Sequence, residues 1–335
     1  MNVPAGSAGG VPGSAGGVPG SAGGVPGSAG GVPGSAGGAP GSAGTPDAPG
    51  RPGFGIRLAR AMAHLGPLCV GIDPHPGLLE RWGLADDVQG LRTFALTVVE
   101  ALGGHVAALK PQSAFFERHG SRGVAVLEEV LALSHDAGTL TVLDIKRGDI
   151  GSTMAGYADA YLRDGAPLAA DAVTLSPYLG FGSLRPALDL AEETGRGVFV
   201  LALTSNPEGA AVQQARGAGG SVAGQMVAGA RGENARILGN GEDRLGPVGL
   251  VVGATIGDAV DELGLDLAAV RGPLLAPGVG AQGAGAAELE RVFGPARSQV
   301  LASTSRAVLA AGPDAGALRN AAQAAADQVR AALAP

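Results

Sequence analysis

Residues 139–150 read TLTVLDIKRGDI, and both the fold and the chemistry of the chain turn on them. The run at 140–143 is apolar and rich in β-branched residues, the pattern of a strand buried on both faces, as in a parallel sheet. Side chains alternate along a strand, so Asp144 and Lys146 project to the same side, two residues apart. Gly148 ends the strand and Asp149 falls in the loop beyond it. Two carboxylates bracketing one amine at the end of a buried strand is an expensive arrangement in an apolar setting. It marks either a catalytic cluster or a solvated salt-bridge cluster at a strand end.

Outward from this stretch the same kind of apolar run recurs. Candidate strands lie at 68–72, 106–109, 140–143, 172–175, 197–203, 248–252, 273–276 and 300–302. Stretches rich in Ala, Leu, Glu and Arg separate them, such as 124–134 and 184–193, and read as amphipathic helices. A further helix at 56–65 comes first and stops at Gly66-Pro67. Eight strand–helix alternations over about 270 residues predict an α/β fold of the (β/α)8 TIM-barrel type rather than an open doubly wound sheet.

Barrel enzymes work at the C-terminal ends of their strands, and polar residues gather there. Asp73 follows the first strand, Lys110 the second, Asp144 and Lys146 the third, Ser176 the fourth. Thr204, Ser205 and Asn206 follow the fifth, Thr255 the sixth, and Ser303 to Arg306 the eighth. The opposite ends read mostly as Gly, Pro and Ala. After the seventh strand comes PGVGAQG at 277–283. With Arg306 it forms a candidate phosphate cradle, glycine-rich backbone closing around the oxygens and a guanidinium completing the grip. Residues 209–246 exceed a usual connection and are expected to form a partly helical excursion with a lid-like loop.

Lysine usage favours the catalytic reading. Of 23 Lys plus Arg, only Lys110 and Lys146 are lysine. Arginine is always charged and does not deliver a proton, whereas lysine can. A chain that uses arginine almost everywhere has kept lysine at two similar places, each at the end of an apolar run.

Composition bounds the rest. The chain has 335 residues, a formal charge of −7 and 60 glycines, too many for an ordinary core. Much of the excess lies in residues 1–50, where VPGSAGG repeats with a seven-residue period from 11 to 37. Proline and glycine in every repeat forbid a helix, so this is no coiled-coil heptad. The segment is expected to be disordered, with the barrel occupying 51–335. It lacks the basic start and apolar centre of a secretory signal, and no apolar run has the length of a membrane span. The single cysteine, Cys69, fits a reducing cytoplasm. Mild acidity gives no reason to expect nucleic acid or membrane as a partner. None of the five histidines falls in a metal-ligand spacing, and GxSxG and GxxxxGK[ST] are absent.

With these residues in view, the sequence resembles the orotidine 5′-phosphate decarboxylases, specifically the longer bacterial subfamily. The resemblance runs from about residue 54 to 334 and rests on GIDPHP (71–76), LKPQSAFFE (109–117), LDIKRGDIGST (143–153), TLSPYLGFGSL (174–184), TSNPEGAAVQ (204–213), GLVVGAT (249–255) and PGVGAQG. Ile145 and Leu109 depart slightly from the subfamily pattern, where Ala and Val are frequent. The resemblance implies that Lys146 protonates C6 of the pyrimidine as carbon dioxide leaves, with Asp144 against the departing carboxylate. Lys110 orders the charged array and the ribose, and Asp149 is supplied across a homodimer interface to the neighbour's site. Asp73 then binds ribose, Ser176 the pyrimidine, and Gln282 with Arg306 the phosphate. The implied substrate is orotidine 5′-monophosphate, with no metal or organic cofactor.

Three other readings remain at this point. A sister activity on the same barrel would recruit Mg²⁺ to an enediolate. A Schiff-base aldolase would use a barrel lysine as nucleophile, and a non-enzymatic scaffold would be defined by the repeat tail.

Overall fold

The computed structural model describes residues 51–239, 244–280 and 283–334. The repeat segment expected to be disordered, and Gln282, lie outside the described residues. Eight parallel strands close into a barrel: β1 (Leu68–Ile72), β2 (Ala108–Pro111), β3 (Leu140–Arg147), β4 (Ala172–Leu175), β5 (Gly197–Leu203), β6 (Val248–Val252), β7 (Leu274–Pro277) and β8 (Val300–Thr304). β1 closes the ring by pairing with β8, Leu68 opposite Ala302.

The continuous apolar runs resolve into two packing layers with a period of two. Cys69, Val142, Phe199, Val251, Leu275 and Leu301 point into the barrel. Their neighbours Val70, Leu143, Val198, Leu250, Leu274 and Val300 point outward, against the helices. Both layers are buried, which is why the strands are mostly apolar short of their C-terminal ends.

α1 (Phe54–Leu65) begins two residues earlier than its periodicity suggested and plugs the N-terminal mouth of the barrel. Phe54 and Leu58 are fully buried, and the Phe54 ring meets Phe199 edge-on at 5.9 Å. Arg57 fixes the plug by ion-pairing with Asp171, and a second guanidinium nitrogen donates to the Gly195 carbonyl at 3.1 Å. Asp171 also accepts the Thr141 backbone N–H at 2.9 Å. The expectation of a bland Gly, Pro and Ala face at this end is therefore corrected. Arg57 and Asp171 there anchor α1.

Strand boundaries moved toward the C-terminal mouth. β2 runs on through Lys110 to Pro111, β3 through Asp144 and Lys146 to Arg147, and β8 to Thr304. Hydropathy stops at the first polar residue, but the strands run on past it: Lys110 and Asp144 are buried there, whereas Lys146 is exposed.

Between β5 and β6 lie a short helix (Gly209–Gln213), a two-residue hairpin (Arg216–Gly217 with Gly220–Ser221) and a long helix (Val222–Leu238). The Ser221 hydroxyl caps the long helix by accepting the Gly224 N–H at 3.0 Å. Among the described residues no helix is long and apolar enough to cross a membrane.

Candidate active site

The site is built around an irregularity in β3. Leu143 pairs with Val173 on β4, but the next partners are Arg147 and Leu175, so β3 spends two extra residues there. Lys146 takes up the slack with a left-handed backbone, φ +45°, a conformation that costs a non-glycine residue roughly 1–2 kcal/mol. Its backbone N–H donates to the Thr174 hydroxyl at 3.0 Å. The bulge turns both Asp144 and Lys146 over the mouth of the barrel.

Asp144 is the hub. Its Oδ2 accepts from Lys110 Nζ at 2.9 Å and from Gln112 Nε2 at 3.0 Å; its Oδ1 accepts from Lys146 Nζ at 2.5 Å and from Thr174 Oγ1 at 2.7 Å. Burial pushes its carboxyl up, but the ammoniums of Lys110 and Lys146 outweigh that and hold it at about 2. Burial pulls the Lys110 ammonium down, yet Asp144 and Asp73 hold it above the ordinary lysine value. Within the chain, the arrangement read from the sequence is inverted: two amines bracket one carboxylate. Asp149 is turned to its own loop, where its Oδ1 accepts the Ile150 N–H at 2.8 Å.

These groups face a cavity of about 840 Å³ at the C-terminal ends of the strands. Asp73, Lys110, Asp144, Lys146 and Arg306 all line it. The Asp73 Oδ1 is buried there with no hydrogen-bond partner, an acceptor suited to a ligand hydroxyl. Gly71 makes room for this carboxylate, since a Cβ at that position would lie 2.8 Å from Asp73 Oδ2. Across the ring from β3, Gly278 (φ +88°) and Gly280 (φ +120°) turn the loop after β7 back on itself and line the cavity together with Arg306. Ser176 lies one residue past β4, its N–H donating to the Arg147 carbonyl at 2.7 Å, outside the cavity wall.

Three contributors went unnoticed in the sequence. Gln112 and Thr174 bond Asp144 directly, and Arg81 joins Arg306 in the cavity wall. Gln112 was findable, since it stands two residues after Lys110 and so shares its side of the strand. A lone threonine in AVTL carried no signal. A second recess of about 520 Å³ shares Asp73, Lys110, Asp144 and Lys146, and is closed by Phe115, Glu117 and Arg147. Among the described residues no group of three or more His, Cys, Asp or Glu side chains is placed to hold a metal ion.

A buried carboxylate that pins two lysines at the C-terminal mouth, beside an unpartnered carboxylate oxygen and a glycine loop facing an arginine, can seat a small anionic molecule and present an ammonium to it. The chain is a (β/α)8-barrel enzyme. A profile of the orotidine 5′-phosphate decarboxylase / HUMPS family matches residues 66–321. An orotidine 5′-phosphate decarboxylase of Salinispora arenicola is 64% identical over 280 residues, spanning 84% of this chain and 98% of that one. One of Streptomyces coelicolor is 59% identical over 282 residues, spanning 84% and 98%. A Streptomyces avermitilis crystal structure is 59% identical with a TM-score of 0.80, covering 85% of this chain and 98% of that one. The Leishmania donovani OMP decarboxylase is 31% identical with a TM-score of 0.64, covering 84% and 98%. The chain belongs to the orotidine 5′-phosphate decarboxylase / HUMPS family.

Proposed function

We propose that the chain converts orotidine 5′-monophosphate to UMP and carbon dioxide, with Lys146 delivering the proton to C6 of the pyrimidine. The reading is carried by Asp144, which holds Lys146 and Lys110 at the floor of the cavity. The bond from C6 to the carboxyl carbon breaks and its electron pair stays on C6. Lys146 Nζ–H then supplies the proton and is reprotonated from solvent. No electron sink exists in the ring, so the carbanion-like state needs charge stabilisation from the protein. An ammonium about 4 Å away contributes roughly 4 kcal/mol at an effective dielectric near 20. The largest enzymatic accelerations require upward of about 23 kcal/mol, so the remainder must come from positioning and from binding energy at the remote phosphate. In this reading Asp144, ionised at neutral pH, meets the substrate carboxylate, a like-charge contact relieved as carbon dioxide departs.

Asp73 suits the ribose hydroxyls, and Arg306 with the loop after β7 suits the phosphate; Ser176 and Gln282 complete the pyrimidine and phosphate contacts in this reading. Closure over the bound nucleotide falls to the segment after β5. Asp149 serves a neighbouring subunit in a homodimer. That reading is supported by Asp149 lining neither recess within its own chain, where it bonds its own loop. It is supported too by the exposed apolar side chains nearby: Ile150 at 61%, Tyr178 at 80% and Leu179 at 54%.

The test follows loss of orotidine 5′-monophosphate absorbance with purified protein, without metal and again with EDTA. Turnover in both arms is expected and excludes the Mg²⁺-dependent reading; turnover lost with EDTA would overturn metal-free decarboxylation. Lys146→Ala and Lys146→Arg should both be inactive, because a guanidinium does not release the proton. Equal turnover by Lys146→Arg would remove Lys146 as the donor. Mixing Lys146→Ala with Asp149→Ala protein should restore activity through hybrid sites, and no recovery after proven subunit exchange would rule out a shared site.

A further inference from the structure

The Thr174 side chain is 1% exposed and makes two bonds to the two ends of the reactive pair. Its hydroxyl accepts the Lys146 backbone N–H at 3.0 Å and donates to Asp144 Oδ1 at 2.7 Å. The polarity of this relay is forced. A backbone N–H can only donate and an ionised carboxylate can only accept, so the single hydroxyl hydrogen must point at Asp144. The same Oδ1 takes the Lys146 ammonium at 2.5 Å. Backbone and side chain of Lys146 thus close a ring through Thr174 and Asp144, and that ring spans the one left-handed residue of β3. Strained backbone persists only where its surroundings over-determine it. Here the Thr174 hydroxyl takes the Lys146 N–H itself, while the Ser176 N–H holds the carbonyl of the next residue, Arg147.

We propose that Thr174 is a positioning residue for proton transfer, its hydroxyl holding Lys146 in the left-handed turn and Asp144 in the rotamer that meets the ammonium. The proposal rests on the reading of Lys146 as proton donor. Without the hydroxyl, the Lys146 N–H loses its acceptor and the turn is held only by the pairs on either side of it, which lets the Cα–Cβ direction, and the ammonium with it, shift. The groups assigned to ribose and phosphate, Asp73 and Arg306, follow other strands, β1 and β8, and are untouched. The loss should therefore fall on kcat and leave KM.

Thr174→Val keeps the shape and removes the hydroxyl; Thr174→Ser keeps the hydroxyl and removes the methyl. For Thr174→Val we expect a fall in kcat of about 10–100-fold, the scale of an ångström's misplacement, with KM and UMP affinity near the parent's. Thr174→Ser should recover most of the parent kcat. Parent-like kcat in Thr174→Val, a loss confined to KM, or an equal loss in Thr174→Ser would each overturn the proposal. If Thr174→Val does not accumulate as folded protein, Thr174→Ser against Thr174→Ala makes the same comparison. Lys146→Ala assayed alongside separates the two claims. Full activity there removes the donor reading, whereas an inactive Lys146→Ala with a parent-like Thr174→Val removes only Thr174.

Discussion

Lys110 and Lys146 reach opposite oxygens of the same carboxylate, at 2.9 Å on Asp144 Oδ2 and 2.5 Å on Oδ1. The two pairs are not equivalent. The Lys110 side chain is 10% exposed and that of Lys146 is 45% exposed. Lys110 therefore depends on Asp144, with Asp73 beside it, for its neutralisation, while Lys146 is left open toward the cavity. Asp144→Asn should strand the buried ammonium, an effect of about 3–5 kcal/mol when one partner of a buried pair is removed. Urea unfolding would show it as a lower midpoint at an unchanged slope, and a midpoint equal to the parent's would refute the buried pairing.

Acid should act through the same residue. The Asp144 carboxyl sits at about 2 in the folded chain against roughly 3.9 when unfolded. A depressed carboxyl contributes stability above its unfolded value and loses it as pH falls through its folded value, here about 2.5 kcal/mol between roughly pH 4 and 2. Lys110, whose ammonium is held above its ordinary value, contributes on the other side, with its share lost only at strongly alkaline pH. Urea midpoints measured from about pH 5 downward should fall more steeply for the parent than for Asp144→Asn. Parallel curves would mean that the carboxyl titrates normally.

Cys69 lies inside the barrel, fully buried among the strands. Burial pushes its thiol up to about 12, and the nearby Lys110 ammonium offsets only part of that. Since the thiolate is the reactive form, iodoacetamide at mildly alkaline pH should label Cys69 only as fast as the protein unfolds. Rapid labelling of the native enzyme would contradict the buried, neutral thiol.

The sequence announced the barrel because each strand is an unbroken apolar run between helical stretches, and burial on both faces leaves few other ways to write one. It announced the Asp144–Lys146 pair through their two-residue spacing, although they meet by a different route from the regular strand that spacing implied. A left-handed lysine and a bulge bring them together, and neither has a sequence signature. Partners distant along the chain were silent for a different reason. Arg57 and Asp171 are 114 residues apart, and Thr174 reaches Asp144 across 30. Nothing in either local stretch distinguishes a residue held for a remote partner from an ordinary polar one. Gln282 and the 1–50 repeat fall outside the described residues.

The plug at the opposite mouth separates stability from chemistry. Gly197 opens β5 beneath the Phe54 ring, and a Cβ there would lie 2.2 Å from Phe54 Cδ1. No ring position satisfies both groups unless α1 shifts, and α1 is tied down by Arg57 to Asp171 and Gly195. Gly197→Ala should therefore destabilise the fold by about 1–3 kcal/mol, the usual cost of overpacking a filled core. Phe54→Leu should cost stability on its own through the space it leaves. Combined, the two should cost less than their sum, because the added methyl occupies part of the vacated volume. Turnover per folded molecule should stay at the parent's level in both variants, since the reacting groups stand at the other ends of the strands. Strict additivity in the double variant, or a fall in kcat that outpaces the loss of folded protein, would show that plug and active site are not independent.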